Sequence, residues 1–185
     1  MVENQEYSVT LDKLDSYPVL GKGAYGKVYK LDEGTCVKVN KDIKINKNEV
    51  ELYKKYKNCP LFPKFYGCGE NYIVMELIKG ESLESYLTKG KSLDKNILQL
   101  LVKMFEEGKK AGLRLNPYIR HIILTPENCI KLVDIKSTIR HSKNKLASGK
   151  SILFLKGLNE YGQKQVFLEY VKNNHEWLIN QWNNV

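Results

Sequence analysis

Gly21-Lys22-Gly23-Ala24-Tyr25-Gly26-Lys27-Val28 is the stretch on which the reading of the fold turns. Alone, a G-x-G-x-x-G spacing is weak, because unrelated phosphate-binding folds and plain hairpins both carry it. The flanks separate them. In a dinucleotide-binding fold the third glycine opens a helix, and an acidic residue follows about 20 positions later. Here Gly26 leads into Val28-Tyr29-Lys30-Leu31, a strand pattern, and then into Asp32-Glu33-Gly34, a hairpin turn ahead of Thr35 to Asn40. A glycine-rich turn between two antiparallel strands can lay its backbone N–H groups over a polyphosphate. The plainer reading is an ordinary hairpin whose glycines supply positive φ. A P-loop is ruled out, since the chain has no G-x-x-x-x-G-K-[ST].

Working outward, Thr35-Cys36-Val37-Lys38-Val39 places a lysine among apolar residues in a strand. Such a lysine turns inward only at a cost unless an anion meets it, either phosphate oxygens or a carboxylate. Glu49 lies on the next element, an amphipathic helix expected from Lys44 to Lys57 with Ile45, Val50, Leu52, Tyr53 and Tyr56 as its apolar residues. It is well placed to be that carboxylate. The competing reading is a surface lysine on an edge strand. Tyr66-Gly67-Cys68-Gly69 then precedes a strand from Tyr72 to Leu77, and Gly80 closes the strand-rich section.

Past Gly80 the periodicity becomes helical. A short helix is expected from Ser82 to Leu87, then a long one capped by Ser92, with Leu93, Ile97, Leu100, Leu101, Met104 and Phe105 on one face, stopping near Gly112. Two short strands, Ile122 to Leu124 and Ile130 to Val133, flank the turn Thr125-Pro126-Glu127-Asn128. The basic, polar stretch 136–150 reads as a mobile loop, and one or two helices close the chain between about Leu153 and Trp182. Strands, one helix, strands, then mostly helices is an α+β order.

The totals agree with a folded chain: of 185 residues, 42% are hydrophobic and 28% charged. No apolar run approaches the ~20 residues that span a bilayer, and Met1 to Tyr7 lacks the basic and apolar regions of a signal peptide. A cytoplasmic location is the expectation. Cys36, Cys59, Cys68 and Cys129 form no C-x-x-C pair, so all four read as reduced thiols rather than zinc ligands. Lys and Arg number 30 against 21 Asp and Glu, a formal charge of +9 that suits phosphate-bearing partners or a solvated lysine-rich surface. Nucleic-acid binding would explain the charge but none of the ordered motifs.

Glycine turn, strand lysine, helix glutamate and Val74-Met75-Glu76-Leu77-Ile78-Lys79-Gly80-Glu81-Ser82-Leu83, in that order, resemble the N-lobe of the protein-kinase superfamily. The resemblance implies a bilobal α+β fold. An antiparallel-sheet N-lobe with one helix, about residues 1–79, would precede a shortened, mostly helical C-lobe, about 80–185, with no A-P-E segment. It implies ATP as ligand, with Mg²⁺ or Mn²⁺. Gly21, Gly23 and Gly26 would cover the phosphates, and Lys38 would bind them while paired to Glu49. Leu20, Val28, Cys36 and Ile123 would pack on the adenine. Met75 would stand as gatekeeper, and backbone groups of Glu76 and Ile78 would bond the adenine edge.

In the second half, Ile130-Lys131-Leu132-Val133-Asp134 resembles the strand that ends in the family's metal-binding aspartate, with Ile135-Lys136 in place of Phe-Gly. The family spacing, about 13 residues back, puts His121 where a metal-binding asparagine stands. Asn116 then takes the place of the catalytic aspartate. An amide cannot accept a proton as a carboxylate does, although phosphoryl transfer depends mainly on positioning and charge stabilisation. The expected function is an atypical serine/threonine phosphotransferase or autokinase, similar to RIO-type and other compact microbial kinases. The alternative is a nucleotide-binding pseudokinase acting as a scaffold. A small-molecule phosphotransferase ranks last. Beyond ATP, the partner expected is a protein substrate.

Overall fold

A computed structural model of the chain describes residues 9, 11–139 and 153–183. It is α+β, and the chain divides into two compact units, 1–58 with 62–78, and 59–61 with 79–185.

The first unit is built on a five-stranded antiparallel sheet. Its strands are β1 (Val19–Lys22), β2 (Gly26–Lys30), β3 (Thr35–Asn40), β4 (Phe65–Cys68) and β5 (Tyr72–Glu76), in the spatial order β1-β2-β3-β5-β4. Asp32 makes the β2–β3 turn: its carboxylate accepts the Gly34 N–H at 2.7 Å, and that bond holds its carboxyl below the usual range. Side chains alternate along a strand, so the register sorts them onto two faces. Tyr29, Val37 and Val74 go to one face and form a core with Leu14 from the 3-10 segment Leu11–Ser16. Val28, Cys36, Lys38, Ile73 and Met75 go to the other, with Val28 opposite Lys38, Lys38 opposite Ile73 and Cys36 opposite Met75. Lys38 therefore lies on a strand paired on both sides, not on an edge.

Helix α1 (Ile43–Lys55) covers that second face, starting where the Asp42 carboxylate caps the Lys44 and Ile45 N–H groups. Its buried residues, Asn46, Glu49, Val50 and Tyr53, recur at helical spacing. Tyr53 stacks on Phe65 and donates its hydroxyl hydrogen to Met75 Sδ at 3.3 Å.

The second unit carries a small antiparallel sheet, β6 (Glu81–Ser82), β7 (Ile122–Leu124) and β8 (Ile130–Leu132), among helices. Ser82 caps α2 (Leu83–Thr88). The long helix α3 runs Lys95–Lys110 and is capped by Asp94, whose carboxylate accepts the Ile97 N–H at 2.8 Å, and not by Ser92 as its sequence suggests. The nearer carboxylate meets the first free N–H groups with a full charge, which also favours the positive end of the helix. Gly108 lets Leu115 lie against α3 where a Cβ would collide with it.

The segment expected to begin a loop at Lys136 begins instead as one helical turn, α4 (Ile135–Thr138), and the rest of that expected loop, from 140, lies outside the described residues. Three helices close the chain rather than one or two: α5 (Leu153–Glu160), α6 (Lys164–Asn174) and α7 (Glu176–Asn183). The glycine of Tyr161-Gly162-Gln163 at φ +68° breaks the first from the second. Phe154 meets Phe105 and Phe167 edge to face, 5.2 Å from the first and 5.1 Å from the second. Among the described residues no helix is long and apolar enough to cross a membrane.

Candidate functional site

The candidate residues fall into two groups, one in each unit. In the first unit the glycine turn is closed by its own backbone: Gly23 N–H donates to Gly26 O at 2.9 Å. Lys41 props it from outside, its backbone N–H reaching Tyr25 O at 2.8 Å and its Nζ reaching Ala24 O at 3.1 Å. Gly21, Gly23 and Gly26 all have negative φ, so left-handed conformation does not explain them. Gly26 is explained by close approach, since a Cβ there would collide with Val39 O across the β2–β3 pair. The β1–β2 register slips by one residue at Leu20, a bulge in a strand whose four residues are all exposed. Val28 is half-buried and sits across from both Gly21 and Lys38.

Lys38 Nζ lies 2.6 Å from Glu49 Oε1, with side-chain exposures of 14% and 1%. A pair this dry persists only if the remaining lone pairs are also met. Asn40 Nδ2 supplies a second donor, reaching Glu49 Oε2 at 3.3 Å and Asn46 Oδ1 at 3.0 Å, while its own Oδ1 is buried with no hydrogen-bond partner among the described residues. Asn46 Nδ2 in turn reaches the carbonyls of Gly69, Glu70 and Tyr72 at 3.0, 3.1 and 3.4 Å.

Cys36 and Met75 are buried side by side on the α1 face. Burial pushes the Cys36 thiol up to about 12, with the nearby Glu76 charge adding to it. The Glu76 N–H donates to Lys64 O at 2.9 Å, and the Glu76 carbonyl is 3.7 Å from Cys36 Sγ. A thiol is a weak donor, and a carbonyl has a second lone pair to offer. Leu77 N–H is taken by Gly34 O at 2.8 Å, and the next residue, Ile78, is half-buried.

In the second unit, Asp134 caps α4, accepting the Ser137 N–H at 2.9 Å. His121 stands beside it through the same serine, its Nδ1 3.0 Å from Ser137 Oγ. Arg120 Nε donates to His121 Nε2 at 3.3 Å, which makes Nδ1 the protonated nitrogen and Ser137 Oγ its acceptor. Both ring nitrogens are thus engaged within the protein. Ile123 is half-buried on β7, opposite Ser82 and Lys131.

Asn116 is buried and tied down at both ends. Its N–H donates to Thr138 O at 2.9 Å, and its Oδ1 accepts the Phe154 N–H at 3.4 Å. It serves as a cap on the first turn of α5 from 38 residues away. Among the described residues no group of three or more His, Cys, Asp or Glu side chains could hold a metal ion.

Asn40, Asn46, Arg120 and Ser137 were not singled out by sequence. The first two had a signal: Asn40 is two residues from Lys38 on one strand, and Asn46 is three from Glu49 on one helix, so each shares its partner's face.

No family model matches the chain. Two curated proteins are similar to it. One, from Bacillus subtilis (strain 168) and named "Putative serine/threonine-protein kinase YrzF", is 26% identical over 72% of this chain and 65% of its own length. The other, a Dictyostelium discoideum protein named as a probable serine/threonine-protein kinase, is 36% identical over 59% of this chain but only 17% of its own length. Taken with the five-stranded antiparallel sheet and its helices, these similarities support a kinase-like relationship for the chain.

Proposed function

We propose that this protein binds ATP and acts as an atypical serine/threonine phosphotransferase or autokinase. The observation that carries the reading is the Lys38–Glu49 pair, 2.6 Å apart on the face of the sheet that also presents Val28, Cys36 and Met75. A lysine fixed by a carboxylate, on the strand next to a glycine turn, is a preorganised cation for phosphate oxygens. The apolar side chains of its face suit a purine.

Asp134 fits the role of metal ligand by its chemistry, a half-buried carboxylate held in one rotamer by Ser137. Bound Mg²⁺ or Mn²⁺ would neutralise charge on the phosphate oxygens. His121 fits less well: it would have to release Arg120 or Ser137, and magnesium prefers oxygen.

The second reading, a nucleotide-binding pseudokinase, is favoured by Asn116. Its residue type cannot take a proton, and its carbonyl oxygen already accepts the Phe154 N–H at 3.4 Å. Titration calorimetry of ATP with and without Mg²⁺, on wild type and Lys38→Ala, tests binding. Transfer from labelled ATP to a generic basic protein or to the chain itself tests turnover. Wild type without measurable affinity at millimolar nucleotide ends both readings, and binding without transfer selects the second. Asn116→Asp retains the acceptor for Phe154 and so should fold. Activity appearing only in that variant would identify the base as the missing part.

A further inference from the structure

We propose that Asn40 and Asn46 form a latch through which the β4–β5 turn sets the position of Glu49 and hence of Lys38. They are positioning residues, and their importance for nucleotide rests on the role proposed for Lys38.

The direction of the hydrogen-bond chain is determined by its far end. Asn46 Nδ2 faces three carbonyl oxygens, those of Gly69, Glu70 and Tyr72, so that atom must be the donor nitrogen. Asn46 Oδ1 then has to face Asn40, and the atom opposite it, 3.0 Å away, must be a nitrogen. The two hydrogens of that nitrogen are divided between Asn46 Oδ1 and Glu49 Oε2. Reversing either amide would set oxygen against oxygen at buried positions, where Asn40, Asn46 and Glu49 are each 1% exposed.

The latch is anchored at both ends by backbone. Asn40 N–H donates to Asn71 O at 2.8 Å, within the same turn that receives Asn46. On its other side Asn40 pairs with Gly26, whose missing Cβ permits the approach. A polar chain therefore runs from the β4–β5 turn through Asn46, Asn40 and Glu49 to Lys38. Removing the Asn40 amide takes from the Glu49 carboxylate the donor on Oε2, and removing Asn46 takes from Asn40 Nδ2 the partner that orients it; either leaves the carboxylate freer to swing with α1.

The test reads Lys38 directly and needs no nucleotide. The full chain is acetylated briefly with an N-hydroxysuccinimide ester, and labelling at Lys38 is measured by peptide mass spectrometry against exposed Lys54 of the same helix. Glu49→Gln should raise Lys38 labelling several-fold, and Asn46→Ala and the isosteric Asn40→Asp should each raise it toward that level. Asn40→Asp also covers the case in which Asn46→Ala does not fold. Val74→Ala weakens the same unit from the opposite face of the sheet and should leave the ratio unchanged. The latch is refuted if both asparagine variants keep the wild-type ratio, if Glu49→Gln does, or if Val74→Ala raises the ratio equally. A second arm measures ATP affinity: the loss caused by Asn46→Ala should vanish in a Glu49→Gln background. If the wild type binds no ATP while labelling follows this pattern, the proposed function falls and the latch stands.

Discussion

Replacing both members of the Lys38–Glu49 pair should harm stability less than replacing either one. Lys38→Met strands a carboxylate that is 1% exposed, with only the neutral Asn40 amide left to face it. Breaking a buried ion pair from one side costs about 3–5 kcal/mol, because the surviving charge stays desolvated. The Asn40 hydrogen bond, to a charged acceptor, offsets part of this, so about 3 kcal/mol is expected. Glu49→Leu leaves a lysine that is 14% exposed on a flexible stem able to turn its ammonium toward water, so about 2 kcal/mol is expected. Asn40 keeps Asn46 as an acceptor in that variant. The double variant removes both charges beside Cys36, Met75 and Tyr53 but takes from the buried Asn40 amide one of its acceptors, and should lie only about 1 kcal/mol below wild type. The assay is native-state hydrogen exchange of the β3 and β5 amides, which reports the first unit by itself. Single losses under about 1 kcal/mol each, or losses that simply add in the double variant, would show that the pair behaves as a screened surface contact and would refute the argument.

Three further outcomes follow from other parts of the molecule. Gly80→Ala should destabilise by about 3 kcal/mol, combining backbone strain with a collision against Leu124 O, since φ is +145° there. Gly90→Ala, at φ +75° with open space around it, should cost only about 1 kcal/mol; equal losses in urea unfolding would contradict the packing account. Alkylation with iodoacetamide at mildly alkaline pH should modify exposed Cys68 and spare Cys36, whose thiol burial raises to about 12; native-state labelling of Cys36 at the Cys68 rate would refute that burial. The Lys89 ammonium, with Ser85 helping, holds the Glu81 carboxyl below its ordinary range. Its stabilising contribution is therefore present at neutral pH and fades as pH falls through the folded-state value. Glu81→Gln should slightly flatten the acid limb of stability, and a steeper limb would reverse the sign of the argument.

Much of the first unit was legible because its signals are local. Alternation made Cys36-Val37-Lys38-Val39 a strand, and Asp32-Glu33-Gly34 a turn, within a few residues of each other. Amphipathic spacing marked Lys44 to Lys57 as a helix, and Glu49 on it as a carboxylate placed for Lys38. The second unit was read less well. Asp94 displaced Ser92 as the cap of α3, a choice between two capping residues that depends on where the first turn starts. The closing segment broke into three helices, since short apolar clusters do not reveal where a helix ends.

By itself, then, the sequence determined the glycine turn, the succession of β1, β2, β3, α1 and β5, and the presence of a cation and a carboxylate on successive elements of the first unit. The tertiary structure alone decided that β3 lies between β2 and β5, which makes Lys38 central, and that Leu20 sits on a bulge. It alone joined Asn46 to the turn at Gly69 to Tyr72, and Asn116 to the Phe154 N–H. The difference is one of range. Turns, caps and periodicity follow from the torsions and side chains of adjacent residues. Strand order and long-range hydrogen bonds depend on which distant groups must be satisfied together once water has been removed, and no local pattern encodes that.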